Sequence, residues 1–209
     1  MARADWVQWH ELYADPESLQ SRRLPIVQAH IRAFLDSRGT EDLRVISLCA
    51  GEGRDLLDVL EISPQLDRVS ARLVELNPQL VARARERVAR LPRIEVVEGD
   101  AGATDAYEGF APADLVLACG VFGNVPDDDV ENTVRALPQL CARGGTVIWT
   151  RHRRSPDLIP SIRRWFADAG FREQAFDSPG PGSFAVGLHR STRPPLPLVR
   201  GRRLFTFAV

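Results

Sequence analysis

Apolar positions in this chain follow two alternating rhythms. Short apolar runs at 44–49, 71–76, 94–98, 114–119 and 146–150 are separated by stretches at 54–60, 78–90, 127–141 and 156–169 where apolar residues recur at helical spacing. The first pattern predicts strands and the second amphipathic helices. Strands alternating with helices of this length form βαβ units on a parallel sheet, and right-handed crossovers place the helices on both faces. Ahead of them, residues 6–37 read as helical, broken at Asp15-Pro16, with Ile26, Ala29, His30, Ala33 and Phe34 on one stripe.

After Gly170 the rhythm changes. Runs at 171–176 and 183–189 are separated only by Ser178-Pro179-Gly180-Pro181-Gly182, which is too short and too rich in Pro and Gly for a crossover helix. The two runs therefore read as an antiparallel hairpin. The expected architecture is α/β: a doubly wound sheet of about seven strands, mostly parallel, with an antiparallel C-terminal hairpin and a helical N-terminal extension. Residues 1–40 are expected to pack on or cap a domain spanning 41–209. The Pro- and Arg-rich stretch 190–203 should cross the surface, and the apolar stretch 204–209 should dock again.

Composition narrows the chemistry. All 27 basic residues are arginine, which excludes a lysine nucleophile or Schiff base. A net charge of −1 sets up no field toward nucleic acid or an anionic membrane, so neither is an expected partner. Cys49, Cys119 and Cys141 lack CxxC spacing, so neither a disulfide framework nor a metal site is expected. The N-terminal residues lack the apolar core of a signal peptide, and no apolar run nears the roughly 20 residues that span a bilayer; the expected location is the cytoplasm.

The chemistry-bearing residues fall at strand ends. The first strand runs into Cys49-Ala50-Gly51-Glu52-Gly53-Arg54-Asp55, where small residues permit a tight turn and close approach of a ligand. The second ends in Glu75-Leu76, placed as the acid that holds ribose hydroxyls on such sheets. The third ends in Glu98-Gly99-Asp100-Ala101, and the fourth opens into Cys119-Gly120-Val121-Phe122-Gly123-Asn124. On these stretches the chain resembles the class I, Rossmann-like S-adenosylmethionine-dependent methyltransferases over about residues 45–189. "VISLCAGEGRDLL" resembles their glycine-rich first motif, "ARLVELNP" their ribose-binding acid and "VVEGDA" their adenine-contacting aspartate. "ADLVLACGVFGNVPDDDV" and "LPQLCARGGTVIWTRH" resemble their fourth strand and loop, then helix and fifth strand.

The resemblance implies S-adenosylmethionine as cofactor. Gly51 and Gly53 would pass the methionine moiety, Glu75 the ribose, and Asp100 with Ala101 the adenine, with Cys49, Ala50, Asp55, Leu76, Cys119 and Gly120 also expected to bind the cofactor. Cys49 and Cys119 would be neighbours on adjacent strands. Two departures stand out: Ser47 replaces the usual acid of the first motif, and Cys49-Ala50 replace a Gly-Cys pair. Glu52 or Asp55 could then serve the methionine ammonium, Asp55 being equally suited to the first turn of a helix.

Methyl transfer from a sulfonium needs chiefly a positioned acceptor and excluded water, with a base when the nucleophile must lose a proton. Candidates for these roles are His152 in Arg151-His152-Arg153-Arg154, Asn124 with Phe122, and His10 and Tyr13. With Trp6 and Trp9 the last two form an aromatic segment that is either a lid or, more commonly, core. One of Arg22 and Arg23 is a candidate for the cofactor carboxylate. The expected acceptor is a small molecule. Two other functions share the pattern: a nicotinamide-dependent oxidoreductase, though a full G-x-G-x-x-G is missing, and a cofactor-binding protein with little catalysis.

Overall fold

A computed structural model describes residues 6–207. Seven strands form one sheet: β1 (Leu43–Leu48), β2 (Val69–Glu75), β3 (Ile94–Glu98), β4 (Ala113–Ala118), β5 (Cys141–His152), β6 (Phe171–Asp177) and β7 (Phe184–Ser191). Their order is β3-β2-β1-β4-β5-β7-β6. β1 to β5 are parallel, and β7 inserts between β5 and β6 antiparallel to both. The helices are α1 (Trp6–Glu11), α2 (Leu19–Asp36), α3 (Arg54–Leu60), α4 (Pro78–Val88), α5 (Asp127–Ala136) and α6 (Ile159–Asp168).

Two apolar layers sandwich the sheet. On one face Val45, Leu73, Leu115, Leu117 and Ile148 meet α2 and α3; on the other Ile46, Leu48, Val116, Val147 and Trp149 meet α5 and α6. Alternate strand residues serve opposite layers, which is why these strands read as continuous apolar runs.

Local signals account for where elements depart from expectation. Ser18 caps α2 by accepting from the Ser21 amide at 3.1 Å, so the helix begins before Pro25 and carries Arg23 within it. Its buried stripe is Val27, Ile31, Phe34 and Leu35, with Ala29 and Ala33 turned to solvent. α5 stops at Ala136 instead of running to Cys141, because Pro138 disfavours helix at the residue before it; Cys141 opens β5. α6 starts at Ile159, where the Asp157 side chain accepts from the Ile159 amide at 3.1 Å.

The link from β3 to β4 carries only a 3-10 turn, Thr104–Tyr107, in place of a crossover helix. The far end of the chain fills the gap. Leu204 and Phe205 are buried in the same layer as Tyr107, Val130 and Val134. Backbone bonds from the Thr104 amide to the Arg202 carbonyl (3.0 Å) and from the Leu204 amide to the Gly102 carbonyl (2.7 Å) seat the tail. Thr133 Oγ1 donates to the Leu204 carbonyl at 3.0 Å and the Thr206 amide to Asp129 at 2.7 Å. Before docking, the tail runs along an exposed path past Pro138 and Gln139.

Candidate functional site

The carboxyl ends of β1, β2 and β4, together with the turn after β3, surround a cavity of about 400 Å³, within the size range of small-ligand sites. Cys49, Glu75, Leu76, Asp100, Ala101, Cys119 and Gly120 line it from the sheet side. Trp6, Trp9 and His10 close it from α1, Asn77, Pro78 and Leu80 from the start of α4, and Phe207 from the tail. A recess of about 20 Å³ shares Trp9, His10, Cys49 and Cys119 with it and adds Tyr13, Ala50, Arg54 and Asp55.

Glu75 is buried and organises the site. Its Oε2 accepts from the Gly51 amide at 2.8 Å, while Oε1 accepts from the Leu76 and Asn77 amides at 2.9 and 2.8 Å. This carboxylate fixes the glycine-rich turn to the tip of β2. Asp100 accepts from the Gly102 amide at 2.8 Å and from Arg203 of the tail at 2.7 Å. A carboxylate has roughly four acceptor sites, so both retain capacity toward the cavity.

The glycines of the turn do different jobs. Gly51 has φ +57°, and a Cβ there would stand 2.0 Å from His10 Cε1. Gly53 has φ +76°, and its missing side chain makes room for Leu57 and Leu73, so it serves core packing and lies away from the cavity. Cys49 and Cys119 both line the cavity at neighbouring strand tips, but Cys49 packs with the α5–α6 layer and Cys119 with the α2–α3 layer. Burial pushes both thiols up, helped by Glu75 and Asp100 at Cys49 and by Asp55 at Cys119.

Several candidates sit elsewhere. Phe122 is fully buried against Trp149 and lines neither the cavity nor its recess. Asn124 Nδ2 donates to the Gly120 carbonyl at 2.6 Å, closing the loop after β4. His152 lies beside Gly123, outside the cavity, its pKa lowered by burial and then by Arg151 and Arg154. Arg151 is buried, bonded to the Phe122 carbonyl and, at 2.8 Å, to Asp127; Arg153 pairs with Asp157 at 2.8 Å. Arg151 is therefore a strut between β5, the β4 loop and α5. Glu52 is committed too: burial pushes its carboxyl up, but Arg83 at 2.6 Å and Arg54 at 2.9 Å more than offset this and hold it low. The aromatic N-terminal segment is a cover, since α1 contributes no buried residue to the core. Its Trp6 packs on Phe207 at a centroid separation of 4.9 Å. Phe207 and Arg203 had no motif to mark them; only the apolar character of the last stretch pointed there.

Among the described residues no cluster suits a metal ion, and no helix is long and apolar enough to cross a membrane.

The profile of a methyltransferase domain matches residues 47–147. A relative from Escherichia coli (strain K12), the uncharacterized protein YnbC, is 29% identical over 122 residues, or 56% of this chain and 20% of that one. This chain thus spans about a fifth of that relative's length. Among solved structures, the CurJ carbon methyltransferase superposes with a TM-score of 0.67 at 14% identity, covering 90% of this chain and 59% of that one. Magnesium protoporphyrin IX methyltransferase from Synechocystis PCC 6803, solved with bound S-adenosylhomocysteine, gives 0.67 at 13% identity over 89% and 93%. An O-methyltransferase family protein from Burkholderia thailandensis gives 0.60 at 17% identity over 90% and 69%. Such low identities speak for the fold alone. Residues 47–147 thus resemble a methyltransferase domain, and the sheet and its flanking helices share the fold of these methyltransferase structures, with no acceptor assigned.

Proposed function

We propose that this protein binds S-adenosylmethionine in the cavity at the strand tips and transfers its methyl group to a small molecule. The observation that carries the reading is the convergence of two buried or half-buried carboxylates, Glu75 and Asp100, on one cavity of about 400 Å³. In this reading Glu75 accepts from the ribose hydroxyls and Asp100 from the adenine amino group, with Leu76 and Ala101 against the nucleoside. The bound cofactor would supply an electrophilic methyl on a sulfonium, already activated for displacement. The chain's own part is to hold the nucleoside, orient the acceptor and exclude water. The aromatic cover of Trp6, Trp9 and Phe207 suits the last two tasks and favours a compact acceptor with an apolar face.

Calorimetric titration of the folded protein with S-adenosylmethionine and S-adenosylhomocysteine tests the binding. Saturable heat from both is expected, and none from a nicotinamide cofactor. Absence of heat from both would overturn the reading. Transfer of labelled methyl to a panel of small hydroxyl, amine and carbon acceptors then separates an enzyme from a protein that only binds the cofactor.

A further inference from the structure

We infer that a groove between α2 and the β6–β7 edge of the sheet is a second ligand site, which takes an alkyl carboxylate: an apolar body ending in one carboxylate head. The groove shares no lining residue with the cavity at the strand tips, so the site is independent of the donor reading.

Three observations carry it. First, the fold gathers three guanidinium groups with no acid to answer them. Arg172 on β6 and Arg190 on β7 are direct cross-strand partners, so both leave the same face of the sheet. Arg38, just past the end of α2, reaches the same spot. Its Nη2 donates to the Gly144 carbonyl at 2.7 Å, and Arg190 Nε donates to that same carbonyl at 3.1 Å. None of the three has a carboxylate partner among the described residues. Like charges directly opposite weaken a sheet. Each guanidinium carries five N–H donors, so most of the donors here are unspent. A carboxylate between them matches their planar, forked geometry. Gly144 lies near the start of β5, which puts the cluster at the end of the sheet away from the cavity.

Second, the groove leading from this cluster is apolar and holds no acid. Its volume is about 410 Å³, and Ala33, Phe34, Ala175 and Leu188 give it apolar walls. The Arg38 guanidinium carbon sits 4.7 Å from the Phe34 ring centroid, which fixes the charge at the mouth. Eight residues of chain back along α2, roughly 12 Å, His30 closes the other end. It is tied to Asp177 at 2.6 Å, so that acid is already committed. The groove therefore has a cationic end and an apolar body, the reverse image of an alkyl carboxylate.

Third, Thr146 lines the groove in register with Arg190 and is only 5% exposed. Its hydroxyl makes no hydrogen bond among the described residues. Leaving a buried hydroxyl unpaired is costly, and a carboxylate oxygen held by the arginines would accept from it.

Calorimetric titration of the full chain tests this with three probes. Octanoate has head and body, acetate the head alone, and octylamine the same body with the opposite charge. Octanoate should give saturable heat, with acetate and octylamine at least about tenfold weaker. Arg38→Gln and Arg190→Gln should each weaken octanoate about fivefold or more. Ala33→Trp, which fills the groove from an exposed helix position and leaves the arginines in place, should do at least as much. Melting curves show that each variant is folded; should one arginine variant fail to fold, the other and Ala33→Trp still decide. No saturable heat from octanoate, or equal binding of octylamine, would overturn the site. So would unchanged octanoate affinity in all the folded variants, which would put the probe elsewhere, as under the aromatic cover.

Discussion

The imidazole of His10 rests against the backbone of Gly51, close enough that a Cβ on Gly51 would stand 2.0 Å from His10 Cε1. The cover over the cavity and the turn at its floor thus meet without an intervening side chain.

Gly51→Ala should therefore cost stability twice, about 1–2 kcal/mol for a side chain at positive φ and more for the collision. Adding His10→Ala should return the second part and leave the first. Urea denaturation of the four proteins in the cycle measures the coupling, and additive losses would show that the contact is absent in solution.

Protonation should loosen the same cover. Burial lowers the His10 pKa to about 4, with Glu52 pulling it up and Arg54, Arg23 and Arg83 pushing it down. His189, bonded through Nδ1 to the Trp149 indole at 3.1 Å, is lowered to about 4 for the same first reason. A histidine whose folded pKa lies below its unfolded value leaves the folded state with fewer protons, so stability falls as pH drops from about 6.5 toward 4. The melting temperature should decline across that window, and His10→Gln and His189→Gln should each flatten the decline. An identical slope in both variants would refute the assignment.

Glu75→Gln and Asp100→Ala should each weaken S-adenosylhomocysteine binding by at least about tenfold, roughly 1.4 kcal/mol. Because Glu75 also holds three backbone amides, its variant should lose thermal stability as well, and more than Asp100→Ala, which gives up one backbone amide and the Arg203 pair. Unchanged affinity in both folded variants would defeat the placement of the nucleoside.

Cys49 and Cys119 line the cavity and Cys141, whose thiol burial pushes up to about 12, lies at the start of β5. Saturating S-adenosylhomocysteine should slow alkylation of the first two by several-fold and leave Cys141 unaffected. Peptide-level mass spectrometry reads each site separately, and equal slowing of all three would indicate global stabilisation instead.

Arg151→Met should destabilise the fold by about 2 kcal/mol, since it frees the Phe122 carbonyl and Asp127 from a buried partner. Donor affinity should be unchanged in the folded variant. A selective loss of binding would return Arg151 to the site.

What could be read from sequence was what repeats along the chain. Alternation of strands and helices located β1 to β7, and the strand-end residues Cys49, Glu75, Asp100 and Cys119 do gather on one cavity. What could not be read depended on contacts between distant segments. The run Arg151-His152-Arg153-Arg154 drew notice as a candidate for the acceptor site, because local sequence does not record the Phe122 carbonyl and Asp127 that Arg151 meets. Phe122 looked like cavity lining because a loop residue and a core residue carry the same side chain. The stripe of α2 was misphased by about one residue, since Ala29 and His30 are apolar enough to pass as core while Val27 and Ile31 make the contact. His10 and Tyr13 were visible as an aromatic segment, but only three dimensions set them over Gly51 and beside Arg23.

The docking of Leu204 and Phe205 into the gap left by a missing crossover helix has a bearing on how the molecule comes into being. Ribosomes release a polypeptide from its amino end, so here the wedge that completes one apolar layer emerges after every strand and helix it packs on. Until it arrives, Tyr107, Val130 and Val134 face water, and Asp100 waits for its arginine. Nascent chains of this protein should therefore stay open on that flank, a natural landing place for chaperones, and acquire a finished ligand pocket only once that wedge has been made and docked.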